Sequence, residues 1–174
     1  MTITHVSVRP PAETDAPALA DIQIAAWRAA YRGVMSDDYL DAMDRERYAE
    51  GWIRNIATPK SGTTHLVAHT ENQVVGFCIL GPSTDDGHPA WGQIYAINVH
   101  PKWWAKGAGS ALFAAAEERL DSLGYDKAFL WVEATNTRAI DFYTNRGWLD
   151  DGGTMQDTRF DPPVPERRHS RALT

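Results

Sequence analysis

The sequence predicts a single α/β domain, spanning 1–174, built on a mixed sheet of about seven strands flanked by about four helices. Three observations predict it. A chain of 174 residues is long enough for one real hydrophobic core. Strand and helix patterns follow one another in the order β-α-α-β-β-β-α-β-α-β-β. No repeat, linker or low-complexity tract interrupts that order.

Each element has its own signal. "ITHVSVR" alternates as a strand. Thr14 or Asp15 then caps a helix whose apolar face is Leu19, Ile22, Ala26 and Ala30, and Gly33 can end it. Ser36, with Asp37 and Asp38, starts a second helix facing inward through Leu40, Met43, Tyr48, Trp52 and Ile56. "THLVAHT" and "QVVGFCILGP" form a hairpin about the turn "EN". "STDDGHPA" is a polar loop before the strand "WGQIYAINV". The next helix carries Leu112, Ala115, Ala116, Leu120 and Leu123 inward and stops at Gly124. "KAFLWVEA" is a strand and "NTRAIDFYTNR" a helix. "GWLDDGG" opens an irregular strand, and "ERRHSRAL" supplies the last one.

Composition narrows the function. A formal charge of −6 argues against a general nucleic-acid binder, which needs a basic face to release counterions. The single cysteine, Cys78, can form neither an intramolecular disulfide nor a thiolate metal cluster, so no metal site is expected. It reads as a small core residue. The N-terminal residues lack an apolar signal core, and no apolar run has membrane-spanning length. The expectation is a cytoplasmic enzyme or binding module with no membrane partner.

The stretch "WAKGAGSAL" lies between a strand and a helix. A helix start offers unpaired N–H groups and a positive dipole end. Gly107 and Gly109 let the backbone approach a phosphate closely, and Lys102 and Lys106 add charge. Alternatively, the glycines supply only unusual dihedrals for a turn. The dinucleotide fingerprint is absent, because Leu112 stands where its third glycine would be. The P-loop pattern is absent as well. Any phosphate held here belongs to another kind of ligand.

Downstream, Asn136 opens a helix on which Ala139, Phe142 and Tyr143 share one face. Taken alone, Asn136 is an N-cap and Tyr143 a half-buried core residue. Taken together, the two stretches resemble the GNAT superfamily of acetyl-CoA-dependent N-acetyltransferases. The signature Q/R-x-x-G-x-G/A aligns with Trp104 to Gly109. The signature N-x-x-A-x-x-F-Y, with a following G-F, aligns with Asn136, Ala139, Phe142, Tyr143, Gly147 and Trp148. The resemblance is strong from Ile94 to Trp148 and extends to the whole chain through element order.

The resemblance implies a GNAT-like, mostly antiparallel mixed sheet and acetyl-CoA as acyl donor. Ile97, Asn98 and Val99 would run along the pantetheine arm. Trp104, Ala105, Lys106, Gly107, Ala108, Gly109 and Ser110 would form the pyrophosphate cradle. Asn136 and Ala139 would flank the arm near the thioester, and Tyr143 would be the general acid at the sulfur. Arg138 either reaches the CoA 3′-phosphate or is an exposed helix arginine. Two positions depart from the pattern. Trp104 replaces Gln or Arg. Gln93 stands where several members have a base glutamate, and a neutral amide cannot take a proton. Glu133, on the neighbouring strand, is the carboxylate left for that task unless it is a solvated strand end.

Acyl transfer to an amine needs proximity, loss of the ammonium proton and protonation of the leaving thiolate. Trp27 and Tyr31, spaced i, i+4, either wall the acceptor or pack their helix. Gln93 and Tyr95 could hold a water beside it. Trp91, Trp103, Trp104 and Trp131 suggest a compact, partly apolar pocket. The acceptor is a small-molecule amine or a peptide N-terminal amine, and the chain is compatible with a homodimer. The alternative is a module that binds or senses acyl-CoA without turnover. Gln93 favours that alternative and Tyr143 opposes it.

Overall fold

The computed structural model describes residues 4–173. Its seven-stranded sheet is formed by β1 (Ser7–Arg9), β2 (Thr64–His69), β3 (Val74–Pro82), β4 (Gly92–Val99), β5 (Lys127–Glu133), β6 (Leu149–Asp157) and β7 (Val164–Ala172). The spatial order is β1-β2-β3-β4-β5-β7-β6. Only β4 and β5 run parallel, and every other neighbouring pair is antiparallel. Ile3, the first residue of the expected β1, lies outside the described residues.

The helices are α1 (Ala16–Tyr31), α2 (Asp37–Asp41), α3 (Arg45–Ala57), α4 (Ala108–Ser122) and α5 (Thr137–Thr144). The single helix expected after Ser36 is therefore two. Asp44 divides it, because its Oδ1 accepts the N–H groups of Glu46 and Arg47 and starts α3 as a fresh N-cap. Asp15 does not cap α1 with its side chain. Its carboxylate receives the Ala12 N–H and the Arg9 guanidinium instead.

Alternation along β3 divides the core between two faces. Phe77 and Ile79 meet Leu19 and Ile22 of α1 and Trp52 of α3. Cys78 and Leu80 meet Leu112, Ala116 and Leu120 of α4 on the opposite face. Burial pushes the Cys78 thiol up to about 12, so it is an inert core thiol.

One irregularity shapes the molecule. Pairing between β4 and β5 is confined to Gly92, Gln93 and Ile94 against Ala128, Phe129 and Leu130. Both strands continue, but apart. Tyr95 is skipped in the β3–β4 register, where Ile79 faces Ala96 and Leu80 faces Ile94. Such a bulge bends its strand. The result is an opening in the middle of the sheet, with the start of α4 and the side of α5 on one flank and α1 on the other.

Candidate active site in the split sheet

That opening is a cavity of about 480 Å³ lined by both predicted motifs. One end is built from the glycine turn. Ala105 has φ 57° and Gly107 has φ 91°, so two left-handed residues bend the chain into α4. Left-handed backbone is costly for alanine and marks a constrained site. Ala111 N–H bonds to the Gly107 carbonyl, which leaves the Ala108, Gly109 and Ser110 N–H groups as the free donors of the helix start. A Cβ on Gly107 would meet no protein atom within 4 Å, and Gly107 lines the cavity, so a side chain there would occupy ligand space. At Gly109 a Cβ would lie 3.3 Å from the Phe142 ring, so this glycine lets α4 and α5 pack closely. The turn thus has free amides, clearance and dipole for a phosphate.

Cations surround this end. The Arg138 guanidinium carbon lies 3.5 Å from the Trp104 ring centre, and Arg146 lies 3.6 Å from that of Phe142. Arg146 also donates to the Ser110 hydroxyl and the Phe142 carbonyl. Lys106 Nζ is 5.2 Å from the Trp103 ring. Arg138, Arg146 and Trp103 all line the cavity, whereas Lys106 does not. Ala108 is fully buried in the core, so it offers its backbone alone.

The middle of the cavity carries Ile97, Asn98 and Val99 on the strand edge left bare by β5. Trp104 Nε1–H donates to the Val99 carbonyl at 2.8 Å and fixes the end of that edge. Asn136 caps α5 by accepting the Ala139 N–H at 3.2 Å, which commits its oxygen and leaves its NH₂ as a donor. Ala139 and Tyr143 line the same wall. Tyr143 is 9% exposed. Burial, reinforced by the Tyr31 phenol and Cys78 and opposed by Arg138, raises its phenol well above the usual tyrosine value. The phenol is therefore a protonated donor at neutral pH.

The far end is aromatic and acidic. Trp27 and Tyr31 lie edge to face at 5.4 Å, and Phe160, from the β6–β7 loop, lies 5.7 Å from Trp27. Trp131 and Tyr95 complete the walls. Burial and the Glu166 and Glu133 charges push the Tyr31 phenol up to about 12. Asp157 forms a bidentate pair with Arg159, with contacts of 2.9 and 2.6 Å, and that partner holds its carboxyl below the usual range.

Several expectations are revised. Gln93 is buried but does not line the cavity, because its Oε1 accepts the Thr84 N–H at 2.8 Å and hydroxyl at 2.9 Å. The Tyr95 hydroxyl donates to the Pro82 carbonyl, and Tyr95 lines the cavity. Trp91 lies outside the cavity, stacked on His88 at 3.8 Å. Glu133 is 3% exposed and turned back on Thr135, which donates its N–H and hydroxyl to the carboxylate. It does not reach the cavity lining. Sequence reading missed Arg146, Asp157, Arg159, Phe160 and Glu166, all of which line the cavity.

A family model described as the acetyltransferase (GNAT) family matches residues 19–148. An uncharacterized N-acetyltransferase, YuaI, of Bacillus subtilis (strain 168) is 30% identical over 139 residues, covering 79% of this chain and 77% of that protein. A mycothiol acetyltransferase of Propionibacterium freudenreichii subsp. shermanii is 30% identical over 149 residues, or 84% of this chain. This chain spans 44% of that protein's length. The crystal structure of the PaiA N-acetyltransferase of Thermoplasma acidophilum in complex with coenzyme A superposes with a TM-score of 0.73 at 19% identity, covering 97% of this chain and 99% of that one. Among the described residues no helix is long and apolar enough to cross a membrane. By its sequence, its split sheet and the glycine turn that opens α4, the chain belongs to the GNAT family of acetyltransferases, acyltransferases whose acyl donor is acetyl-CoA.

Proposed function

We propose that this chain transfers an acetyl group from acetyl-CoA to a primary amine, by direct attack while both substrates occupy the split in the sheet. The observation that carries this reading is the continuity of one cavity, from the free amides of α4 through Tyr143 to an aromatic, acidic end. Acetyl-CoA supplies an acyl group activated as a thioester. The Ala108, Gly109 and Ser110 N–H groups, backed by Arg146 and Arg138, hold its pyrophosphate and 3′-phosphate. The bare edge at Ile97, Asn98 and Val99 accepts the pantetheine arm as a sheet accepts a strand. The Asn136 NH₂ donates to the same arm. Tyr143 Oη gives its proton at the leaving sulfur.

The acceptor enters between α1 and the β6–β7 loop. Trp27, Tyr31 and Trp131 give it apolar and π surface, and Glu166, the carboxylate there without an ion-pair partner among the described residues, favours a cation. A small-molecule amine or a peptide N-terminus both meet those terms. The protonated Tyr143 phenol, which has no hydrogen-bond partner among the described residues, favours turnover over mere acyl-CoA binding, since a binder has no use for an acid there. Free-thiol release tests the reading, with acetyl-CoA and a panel holding an alkylamine, a polyamine, an aminoglycoside and a peptide with a free N-terminus. Thiol release matched by acetylated amine is expected. Acetyl-CoA binding without release from any member would make the protein a binding module.

A further inference from the structure

We propose that Glu166, on β7, is the general base that takes the acceptor's ammonium proton, a role that rests on the acetyl-transfer reading above. In the antiparallel β5–β7 ladder Glu166 stands directly opposite Glu133. Residues so paired project from the same face of the sheet. Two carboxylates are thus brought side by side, an arrangement with no stabilising value of its own. The structure resolves them differently. Glu133 is buried and occupied by Thr135. Glu166 is half-buried, lines the cavity, and has no hydrogen-bond or ion-pair partner among the described residues. It is the carboxylate left free at the acceptor end, since Asp157 is held by Arg159.

The groups facing Glu166 come from every neighbouring element. They are Glu133 on β5, Asp157 on β6, Arg159 in the β6–β7 loop and Tyr31 on α1. Burial first, then the Asp157 and Glu133 charges, raise its carboxyl to about 7 against the lowering by Arg159. A base poised near the working pH is the most effective one. The Tyr31 phenol does not compete, since it ionises only at about 12.

The protons balance as follows. Glu166 takes one proton from the ammonium group, and the freed nitrogen lone pair forms the bond to the acyl carbon. The carbon–sulfur bond breaks, and the sulfur receives the Tyr143 proton. The second excess proton on nitrogen restores the Tyr143 phenol. Glu166 passes its own proton to bulk water.

Two measurements test the assignment. In protein labelled with side-chain carboxyl ¹³C glutamate, the signal absent from Glu166→Gln identifies residue 166. Its NMR titration midpoint should lie near 7 in the acetyl-CoA-free protein, and a midpoint below about 5, ordinary for glutamate, overturns the proposal. With the best amine of the panel, Glu166→Gln should lower kcat/KM about 10²-fold or more and erase the inflection near neutrality, with acetyl-CoA affinity unchanged. Glu133→Gln should keep the inflection and move it to lower pH, because a neighbouring like charge is gone. A Glu166→Gln protein that keeps the wild-type inflection overturns the base while leaving acetyl transfer standing. If wild type acetylates no amine, the transfer reading fails and the base role falls with it, whatever the midpoint.

Discussion

The Arg138 guanidinium carbon lies over Trp104, 3.5 Å from the ring centre, while the same indole donates to the Val99 carbonyl at 2.8 Å. Trp104 occupies the first signature position, where Gln or Arg is usual in the resemblance drawn from sequence. It therefore joins three parts of the donor end: the glycine turn, the edge of β4 and the cation on α5. Replacing it with alanine removes a cation–π contact worth ~0.5–2 kcal/mol and a hydrogen bond worth ~0.5–1.5 kcal/mol. Trp104→Ala should weaken acetyl-CoA binding by about tenfold or more in calorimetry. Trp104→Phe retains the aromatic face and should lose less. Equal affinity in all three proteins would detach this residue from the cofactor.

The two glycines of the turn should fail in different ways. Gly107 has φ 91° and an unobstructed Cβ direction. Gly107→Val costs ~1–2 kcal/mol of backbone strain and puts a side chain into the cradle, so acetyl-CoA binding should be lost from a folded protein. Gly109 has its Cβ direction blocked by Phe142 at 3.3 Å. Gly109→Val should lower Tm, because α5 must shift away from α4. Calorimetry and thermal melts on the two variants separate the effects. Full affinity in folded Gly107→Val would remove the cradle from the account.

Tyr143→Phe keeps the ring that packs on Phe113 at 5.7 Å and deletes only the hydroxyl group that carries the proton. Loss of a general acid commonly costs about 10²-fold in rate. That decrease is expected in kcat, with acetyl-CoA affinity unchanged. A kcat within a few-fold of wild type would mean that water or another group protonates the thiolate.

Glu166 also makes a prediction about stability. Its carboxyl is raised to about 7 in the folded protein. Between the unfolded value, near 4.3, and about 7, the folded state binds more protons than the unfolded one. Stability therefore falls as pH rises through that window, and the cost is complete above it. The solvent-facing side of Glu166 screens part of this penalty. Glu166→Gln should melt about 2–4 °C above wild type at pH 8 and close to it at pH 4, the expected scale for ~1 kcal/mol in a chain of this size. A variant less stable than wild type at pH 8 would show that the charge is accommodated by a partner.

The donor end was legible in sequence because its chemistry is local. Gly107 and Gly109 lie within one turn, and Asn136, Ala139 and Tyr143 within two, so helical spacing alone brings them together. Most of the strands and helices were legible for the same reason. The acceptor end was not. Glu166 meets Glu133 because β7 inserts between β5 and β6, and no local pattern in "ERRHSRAL" states which strand will flank it. Phe160 reaches Trp27 through a loop. Gln93 illustrates the converse: its strand position matched a functional site, but an adjacent loop threonine captured the amide. The break between α2 and α3 was readable from Asp44, and the apolar run from Leu40 to Ile56 obscured it.

In the proposed reaction, amine and acetyl-CoA meet in a single cleft and react directly. Initial rates measured over a grid of both concentrations test it most directly, together with mass spectrometry of the protein after incubation with acetyl-CoA alone. Direct transfer gives intersecting double-reciprocal lines and an unmodified protein, because the one cysteine is buried and no other nucleophile is needed. Parallel lines, with an acetyl group carried by the protein before amine is added, would contradict it.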